Sequence, residues 1–356
     1  MANKYTALKI FHYPEKIASL PRDNQTILPP VHIRIKPTNA CNHRCSYCAY
    51  RSRDLQLGSG MDIRDTIPKE AMKRIIDDII HMGVKAVTFS GGGEPLLYPH
   101  MAATLRRLAD SPVAFATLTN GSLLKDDVAE LFARHGTWVR ISMDGWNDES
   151  YAAYRGVDRG AFSSLMKNIE NFKKLPGSCL LGVSFIVDRD NAAHVYEMTA
   201  RLADLGVDSI KISPCIVANS GPENNNYHRA HFQTVREQIE RAKQELAATS
   251  FEIFDAYHEL DEKFSKAYHW CPYCQVLPVI GADMRVYTCQ DKAYNREHGC
   301  LGEIGEDGFK AFWNNDKEKF FAIDPSRHCD HHCVANRKNI LVHEFLAADK
   351  EHFAFV

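Results

Sequence analysis

Between residues 30 and 215 the chain alternates two hydrophobic rhythms. Short β-branched runs at 31–35, 85–89, 113–118, 138–142, 181–187 and 209–213 read as strands. Between them, apolar residues recur every three or four positions over 68–82, 97–110, 123–135, 161–175 and 191–205, the helical rhythm. Strands separated by helix-length connections pair in parallel, and right-handed crossovers wind them into a barrel or doubly wound sheet. Six such units fall short of the eight in a closed barrel. Arg34 and Lys36, Thr117 and Thr119, Arg140 and Ser142, and Lys211 and Ser213 recur at period two, so each pair shares a strand face. Polar residues where a filled barrel carries bulky aliphatics predict a wet, substrate-holding lumen, a helix-covered outer face being the alternative.

An amphipathic helix is expected at 229–248, after which the chain turns richer in aromatics. This divides it into an N-terminal extension (1–29), an α/β domain (30–250) and a C-terminal, cysteine-rich α+β domain (251–356) whose tail, 337–356, is helical.

With 45% hydrophobic and 25% charged residues the composition is that of a globular protein. The net charge of −2, from 43 basic and 45 acidic side chains without a dominant basic run, points to neither nucleic acid nor an anionic membrane as partner. No apolar run reaches the roughly 18 residues needed to span a bilayer, and no signal peptide opens the chain, so a cytoplasmic protein is expected. An odd number of cysteines, eleven, in such a chain argues for metal ligation over disulfides.

The cysteines fall into two regions. Cys41, Cys45 and Cys48 follow the first strand in the spacing CxxxCxxC. Four-iron clusters are ordinarily held by four thiolates, so a compact loop of three implies that something other than protein completes the site. A structural zinc site is the alternative, but zinc takes four ligands, usually built from CxxC pairs. The second region holds Cys271, Cys274, Cys289, Cys300, Cys329 and Cys333, with Gly281 between Cys274 and Cys289.

The first loop, with aromatic Tyr47 before its third cysteine, closely resembles that of radical S-adenosylmethionine (SAM) enzymes, in which SAM chelates the open iron. Ser90-Gly91-Gly92-Gly93-Glu94-Pro95, at the end of the second strand, is similar to the family's GGE motif, and its glycines let backbone approach a ligand closely. The resemblance implies that Gly91, Gly92, Gly93 and Glu94 hold the methionine amino group and that Ser142, or Asp144 after it, contacts the ribose. Asp144 before a glycine is also a common turn residue. Thr119-Asn120-Gly121 reads as a structural turn, and Phe185 or Ile186 would pack the adenine or the core.

The resemblance also implies an open (β/α)6 TIM-like partial barrel, an oxygen-sensitive [4Fe–4S] cluster, and reductive cleavage of SAM to a 5′-deoxyadenosyl radical that takes hydrogen from substrate. A flavodoxin- or ferredoxin-type protein would supply the electron. The second region, from Cys271 to Cys333, resembles the SPASM or shorter twitch extension, which holds auxiliary clusters. It departs from full SPASM domains, carrying CxxxC in place of CxxCxxxxxCxxxC and no cysteine after Cys333. A single auxiliary [4Fe–4S] cluster drawn from Cys271, Cys274, Cys289, Cys329 and Cys333 is therefore expected. A zinc knuckle, or a three-thiolate cluster of Cys271, Cys274 and Cys289 that binds substrate, is the alternative.

An auxiliary cluster favours two-electron oxidation of a small molecule or peptide, and a non-enzymatic iron–sulfur or zinc adaptor is the reading from another class. The alternative within the family is a redox-neutral epimerase or rearrangement with Cys215, at the end of the sixth strand, as hydrogen donor. About 40 residues precede the loop, fewer than a fused leader-peptide domain needs, which favours a small molecule or a delivered peptide. Arg34, Lys36, Arg140, Lys211 and Tyr154-Arg155 are candidates to grip an anionic substrate or to pair with acids.

Overall fold

The computed structural model describes residues 4–52, 55, 58–258, 264 and 266–355. The elements follow in chain order: α1 (Pro14–Ala18), β1 (His32–Ile35), α2 (Lys69–Met82), β2 (Ala86–Phe89), α3 (Met101–Ala109), β3 (Ala114–Thr119), α4 (Asp126–His135), β4 (Trp138–Met143), α5 (Asp148–Arg155) and α6 (Ala161–Lys174). Then come β5 (Leu180–Val187), α7 (Val195–Asp204), β6 (Ser209–Pro214), α8 (Gly221–His228), α9 (Phe232–Glu245) and β7 (Glu252–Asp255). The C-terminal part adds β8 (Val279–Ile280), β9 (Arg285–Tyr287), β10 (Cys300–Glu303), α10 (Gly308–Asn314), α11 (Pro325–His328) and α12 (Asn336–Ala347).

Helix α2 shows why these segments fold as they do. Ala71, Met72, Ile75, Ile76 and Ile79 bury one stripe, and Gly83 ends the helix at φ 76°, where a left-handed residue lets its N–H reach the Ile79 and Ile80 carbonyls. The short α5 is fixed by a capping box in which the Asn147 side chain accepts from Ser150 N–H and the Ser150 side chain accepts from Asn147 N–H. Its pattern is too brief to stand out in the sequence, where it was not expected.

All strands lie in one open sheet of order β10-β9-β8-β1-β2-β3-β4-β5-β6-β7. Strands β1 to β7 pair in parallel, so the partial barrel carries a seventh strand, β7, on residues assigned above to the C-terminal domain. Its four residues lack a strong alternating pattern. On the other edge β8 adds in parallel to β1, with Arg34 opposite Val279, and β9 and β10 follow antiparallel. The C-terminal cysteine-rich part therefore continues the barrel sheet and is not a module hung from it.

Register sorts the faces. Ile33, Ile35, Val87, Phe89, Val139, Ile141, Leu181, Val183, Phe185, Ile210 and Ile212 are fully buried toward the helices. The opposite face carries Arg34, Lys36, Arg140, Ser142, Ser184, Lys211 and Ser213, so the polar lumen expected from parity is present. Two residues do not belong to it. Thr117 pairs with Phe89 and Val139, and Thr119 with Ile141, which puts both threonines on the helix side. Phe185 likewise faces the helices, leaving Ile186 on the lumen side.

The N-terminal segment fastens both parts. The Lys317 ammonium donates to the Ser19 carbonyl at 2.7 Å and to that of Asn24, and Trp313 Nε1 donates to the Leu28 carbonyl at 3.0 Å. Trp313 is fully buried among Phe309, Phe320 and Lys16. Trp313→Ala should cost about 3–5 kcal/mol, read as a lower denaturant midpoint under anaerobic conditions.

Candidate active site and metal centres

The three-cysteine loop leaves β1 and is clamped on two sides by backbone. On one side Gly93 N–H donates to the Thr38 carbonyl at 3.4 Å and Glu94 N–H to that of Ala40 at 2.9 Å. The glycines are required by this approach. A Cβ on Gly93 would stand 2.0 Å from the Ala40 oxygen, one on Gly92 2.4 Å from Asn39 Oδ1, and one on Gly91 1.3 Å from the Gly93 oxygen. On the other side Arg44 N–H donates to the Arg155 carbonyl at 2.7 Å and Ser46 N–H to that of Tyr154 at 3.0 Å. Cys41, Cys45 and Cys48 are partly exposed between these clamps. Their sulfurs meet donors suited to thiolate: His43 N–H lies 3.4 Å from Cys41 Sγ, and Arg155 Nη1 lies 3.6 Å from Cys45 Sγ.

Glu94 is 2% exposed, and its carboxylate already holds the ends of β2 and β3 together. Oε1 accepts from Thr119 Oγ1 at 2.5 Å and Leu96 N–H at 3.0 Å, and Oε2 from Asn120 N–H at 2.7 Å. Burial raises its pKa above the usual carboxylate range while these three donors oppose that shift. Thr119-Asn120-Gly121, read as a plain turn, thus supplies partners for the motif glutamate.

Asp144, the second candidate for the ribose, keeps Oδ2 buried without a partner. It is fully buried and pairs with Arg155, Nε to Oδ1 at 2.9 Å, while Asn191 Nδ2 holds its carbonyl at 2.9 Å. A carboxylate committed to a buried guanidinium positions that guanidinium, and breaking such a pair is costly. Ser142 stays on the lumen face opposite Ser184, half-buried. Arg155 is the residue that sequence reasoning placed only among general anion binders. Its guanidinium reaches Asp144 and Cys45, lies over the Tyr47 and Tyr151 rings, and keeps Nη2 buried without an acceptor. The Tyr47 hydroxyl is buried and unpartnered as well. The local signal was Tyr154-Arg155-Gly156, where Gly156 at φ 58° ends α5 against Arg44.

In the second region Cys271, Cys329 and Cys333 lie close enough to Cys289 to raise its pKa, after burial and Asp291. Cys274 is fully buried beside Cys271, the two thiols being hydrogen-bond partners, and its Sγ also lies 3.6 Å from the Phe320 carbonyl with Lys16 nearby. Asn339 Nδ2 donates to Cys271 Sγ at 3.4 Å. Cys289 Sγ, an Asp291 oxygen and a His331 ring nitrogen lie within 4.8 Å of one another. His331 is 3% exposed with neither ring nitrogen partnered, and burial, then Lys292 and Lys266, lower its pKa to about 2. Cys300 lies on β10 with its sulfur 3.6 Å from the Gly302 carbonyl.

The two regions are joined side chain to side chain. Fully buried Lys36 donates to Tyr50 Oη at 2.7 Å and to the Gly91 carbonyl at 2.6 Å. Tyr50, two residues after Cys48, donates to the carbonyl of Gln290, next to Cys289, at 3.2 Å and receives the Gln290 side-chain amide. Tyr294 donates to Asn39 beside the first loop.

Fold and loop together define an open parallel α/β barrel with a three-cysteine loop at the carboxyl ends of its strands. Residues 35–195 match the family model of the radical SAM superfamily, and this stretch of the chain is a radical SAM domain. Members of that family work with a [4Fe–4S] cluster and SAM, and those of the SPASM type carry auxiliary clusters as well. The chain is similar to pre-heme d1 synthase of Dinoroseobacter shibae, 28% identical over 203 residues that cover 56% of this chain and 47% of the relative. It therefore spans less than half the length of that curated relative. In fold it is similar to the solved structure of Streptococcus suis SuiB bound to precursor peptide SuiA, with TM-score 0.63, 15% identity and coverage of 90% and 74%. It is also similar to native anSMEcpe with bound AdoMet, with TM-score 0.60, 18% identity and coverage of 85% and 89%. Among the described residues no helix is long and apolar enough to cross a membrane.

The steric closeness at Gly93 is directly testable. Gly93→Ala should push the loop from β2 and lower the iron bound per chain after anaerobic reconstitution. Gly83→Ala, left-handed but with no neighbour within 4 Å, should cost about 1 kcal/mol and leave iron content unchanged.

Proposed function

We propose that this protein is a radical SAM enzyme that oxidises an organic substrate by two electrons, with one SAM-binding cluster and one auxiliary [4Fe–4S] cluster. The observation that carries this reading is the Lys36, Tyr50 and Gln290 junction, which ties the three-cysteine loop to the second cysteine region across a polar lumen. When bound, the first cluster and SAM supply a 5′-deoxyadenosyl radical for hydrogen abstraction, and the auxiliary cluster supplies an acceptor for the electron left behind.

The residues present fit these groups. Cys41, Cys45 and Cys48 would hold the first cluster, with Arg155 and His43 N–H stabilising thiolate charge. Gly91, Gly92 and Gly93, held where a Cβ would strike Asn39, Ala40 or Gly93 itself, would present their backbone beside the three-cysteine loop to the methionine end of SAM. Arg155, with Nη2 unaccepted, would meet the carboxylate of SAM beside Tyr47, and Ser142 the ribose. The auxiliary cluster's ligands would be drawn from Cys271, Cys274, Cys289, Cys329 and Cys333, with Asn339 fixing Cys271. A flavodoxin- or ferredoxin-type donor would deliver the electron in a cytoplasmic setting.

One observation favours the redox-neutral alternative enough to test it. Cys215 ends near Asp188 and Asp144 at the carboxyl end of β6, 5% exposed, and burial, then these carboxylates, push its pKa up to about 12. A thiol kept protonated is the form able to give up a hydrogen atom.

Two experiments test the proposal. Reconstituted protein should bind about eight irons per chain. Replacing Cys41, Cys45 and Cys48 together by Ala should leave about half of that iron and abolish SAM cleavage; stoichiometric zinc with about four irons would remove the auxiliary cluster in favour of a site at Cys289, Asp291 and His331. Turnover in deuterated water then separates the outcomes. Oxidised product without solvent deuterium, undiminished in Cys215→Ala, is expected. One deuterium in a redox-neutral product that the Cys215→Ala variant no longer forms would make the enzyme an epimerase.

A further inference from the structure

The segment Cys329-Asp330-His331-His332-Cys333 places two adjacent histidines inside a cysteine pair, and the fold treats them differently. The His332 ring is half-buried and packs edge-on against Phe264, centroids 5.9 Å apart. His328, just before the pair, stacks on His298 at 4.5 Å and accepts from Asp324 N–H through Nδ1 at 3.2 Å. His331 turns inward. It is 3% exposed, and both its ring nitrogens are buried with no hydrogen-bond partner. A polar atom taken from water and left bare costs free energy, so buried histidines ordinarily keep a hydrogen bond or bind a metal.

What the ring faces decides between these. A His331 ring nitrogen, Cys289 Sγ and an Asp291 oxygen lie within 4.8 Å of one another. Asp291 already has partners: its Oδ2 accepts from Val334 N–H at 3.1 Å, and Arg34, Lys266 and Lys36 supply counter-charge. Cys289 stands beside Cys333, Cys271 and Cys329, so the imidazole enters the thiol-rich space in which the ligands of the auxiliary cluster would gather. The main chain holds this aim, with the Lys266 ammonium donating to the His331 carbonyl.

We propose that His331 is a protein ligand of the auxiliary cluster, giving a ring nitrogen to one iron while three cysteines, Cys289 among them, serve the others. This rests on the reading above that a [4Fe–4S] cluster occupies the second cysteine region, and it names a ligand that cysteine spacing does not reveal. Five thiols are present, so cysteine supply does not force a histidine into the set. The two bare nitrogens are the reason. A neutral imidazole in place of a thiolate removes one negative charge from the cluster and raises its reduction potential, as histidine does in Rieske centres. Such a cluster takes up an electron more readily, and oxidation of a substrate asks that of it.

The test uses the full-length variant with Cys41, Cys45 and Cys48 replaced by Ala, reconstituted anaerobically, so that only the second region contributes iron. The reduced protein is read by pulsed electron paramagnetic resonance and by redox titration. Coupling to a directly bound nitrogen is expected, altered when the protein is grown with nitrogen-15-labelled histidine. Adding His331→Cys should keep about four irons, abolish that coupling and lower the midpoint potential by about 59 mV or more, a tenfold change for a one-electron couple. If the triple variant does not fold, the unaltered protein and its His331→Cys and His331→Ala variants give the same comparison without SAM, the histidine label identifying the nitrogen. About four irons in the second region with no coupled histidine nitrogen, coupling that survives in His331→Cys, or an unshifted potential would overturn the assignment and leave the auxiliary cluster standing. Zinc without iron in the triple variant would remove the auxiliary cluster itself, and this ligand with it.

Discussion

The structure depends on backbone pressed against backbone where β1 and β2 end. Thr38 and Ala40 lend carbonyls to Gly93 and Glu94 at a separation no side chain survives, with a Cβ on Gly93 falling 2.0 Å from an oxygen. Glycine has no Cβ to clash, and this freedom allows a loop leaving one strand to be held by the end of its neighbour. The arrangement of Cys41, Cys45 and Cys48 is set by that clamp and by the α5 terminus opposite. Glu94 extends the same logic, since its three accepted hydrogen bonds carry the constraint from β2 on to β3.

From this clamp the two cysteine regions become one assembly. Strand β8 lies on β1, so the chain that carries Cys289 is in register with the chain that delivers Cys41. Lys36 and Tyr50 then bridge the remaining distance to Gln290 with neutral acceptors around a buried ammonium. Burial, then Arg34, press the Lys36 pKa well below the usual lysine range, while Asp291, Cys48 and Cys289 oppose that. A buried cation between two sets of thiolates is sustained by negative charge on both sides. Bound metal would provide it, because a coordinating thiol is deprotonated outright.

Much of this was legible in the sequence for a physical reason: the informative features were local. Strand and helix rhythms depend on neighbours two to four residues away, and CxxxCxxC and the glycine run sit within short loops. What escaped was set across the chain. The inward and outward faces of Thr117 and Thr119 follow from pairing with Phe89, Val139 and Ile141, which parity on one strand does not reveal. Strand β7 is four half-buried residues defined by its partner β6. Asp144 reads in the sequence as a turn residue or a ribose contact, and its ion pair with Arg155, eleven residues later, is visible only in the fold. Cys271 and Cys289 meet Cys329 and Cys333 only across a long stretch of chain, which spacing alone does not place.

The charge pattern links these levels. Acids in the barrel are drawn into structure: Glu94 accepts from backbone and Thr119, Glu252 pairs with Lys4, and Asp144 pairs with Arg155 through Oδ1 while its Oδ2 stays buried without a donor. The guanidiniums are spent less completely, with Nε of Arg34 and Arg140 and Nη2 of Arg155 each buried and unaccepted. A buried donor without an acceptor costs free energy, and that cost falls most fully on Arg155, which is 4% exposed beside the three-cysteine loop. Arg155 lies at the cluster loop, where the carboxylate of SAM would meet it, and Arg140 lies in the lumen, beyond the thiolates.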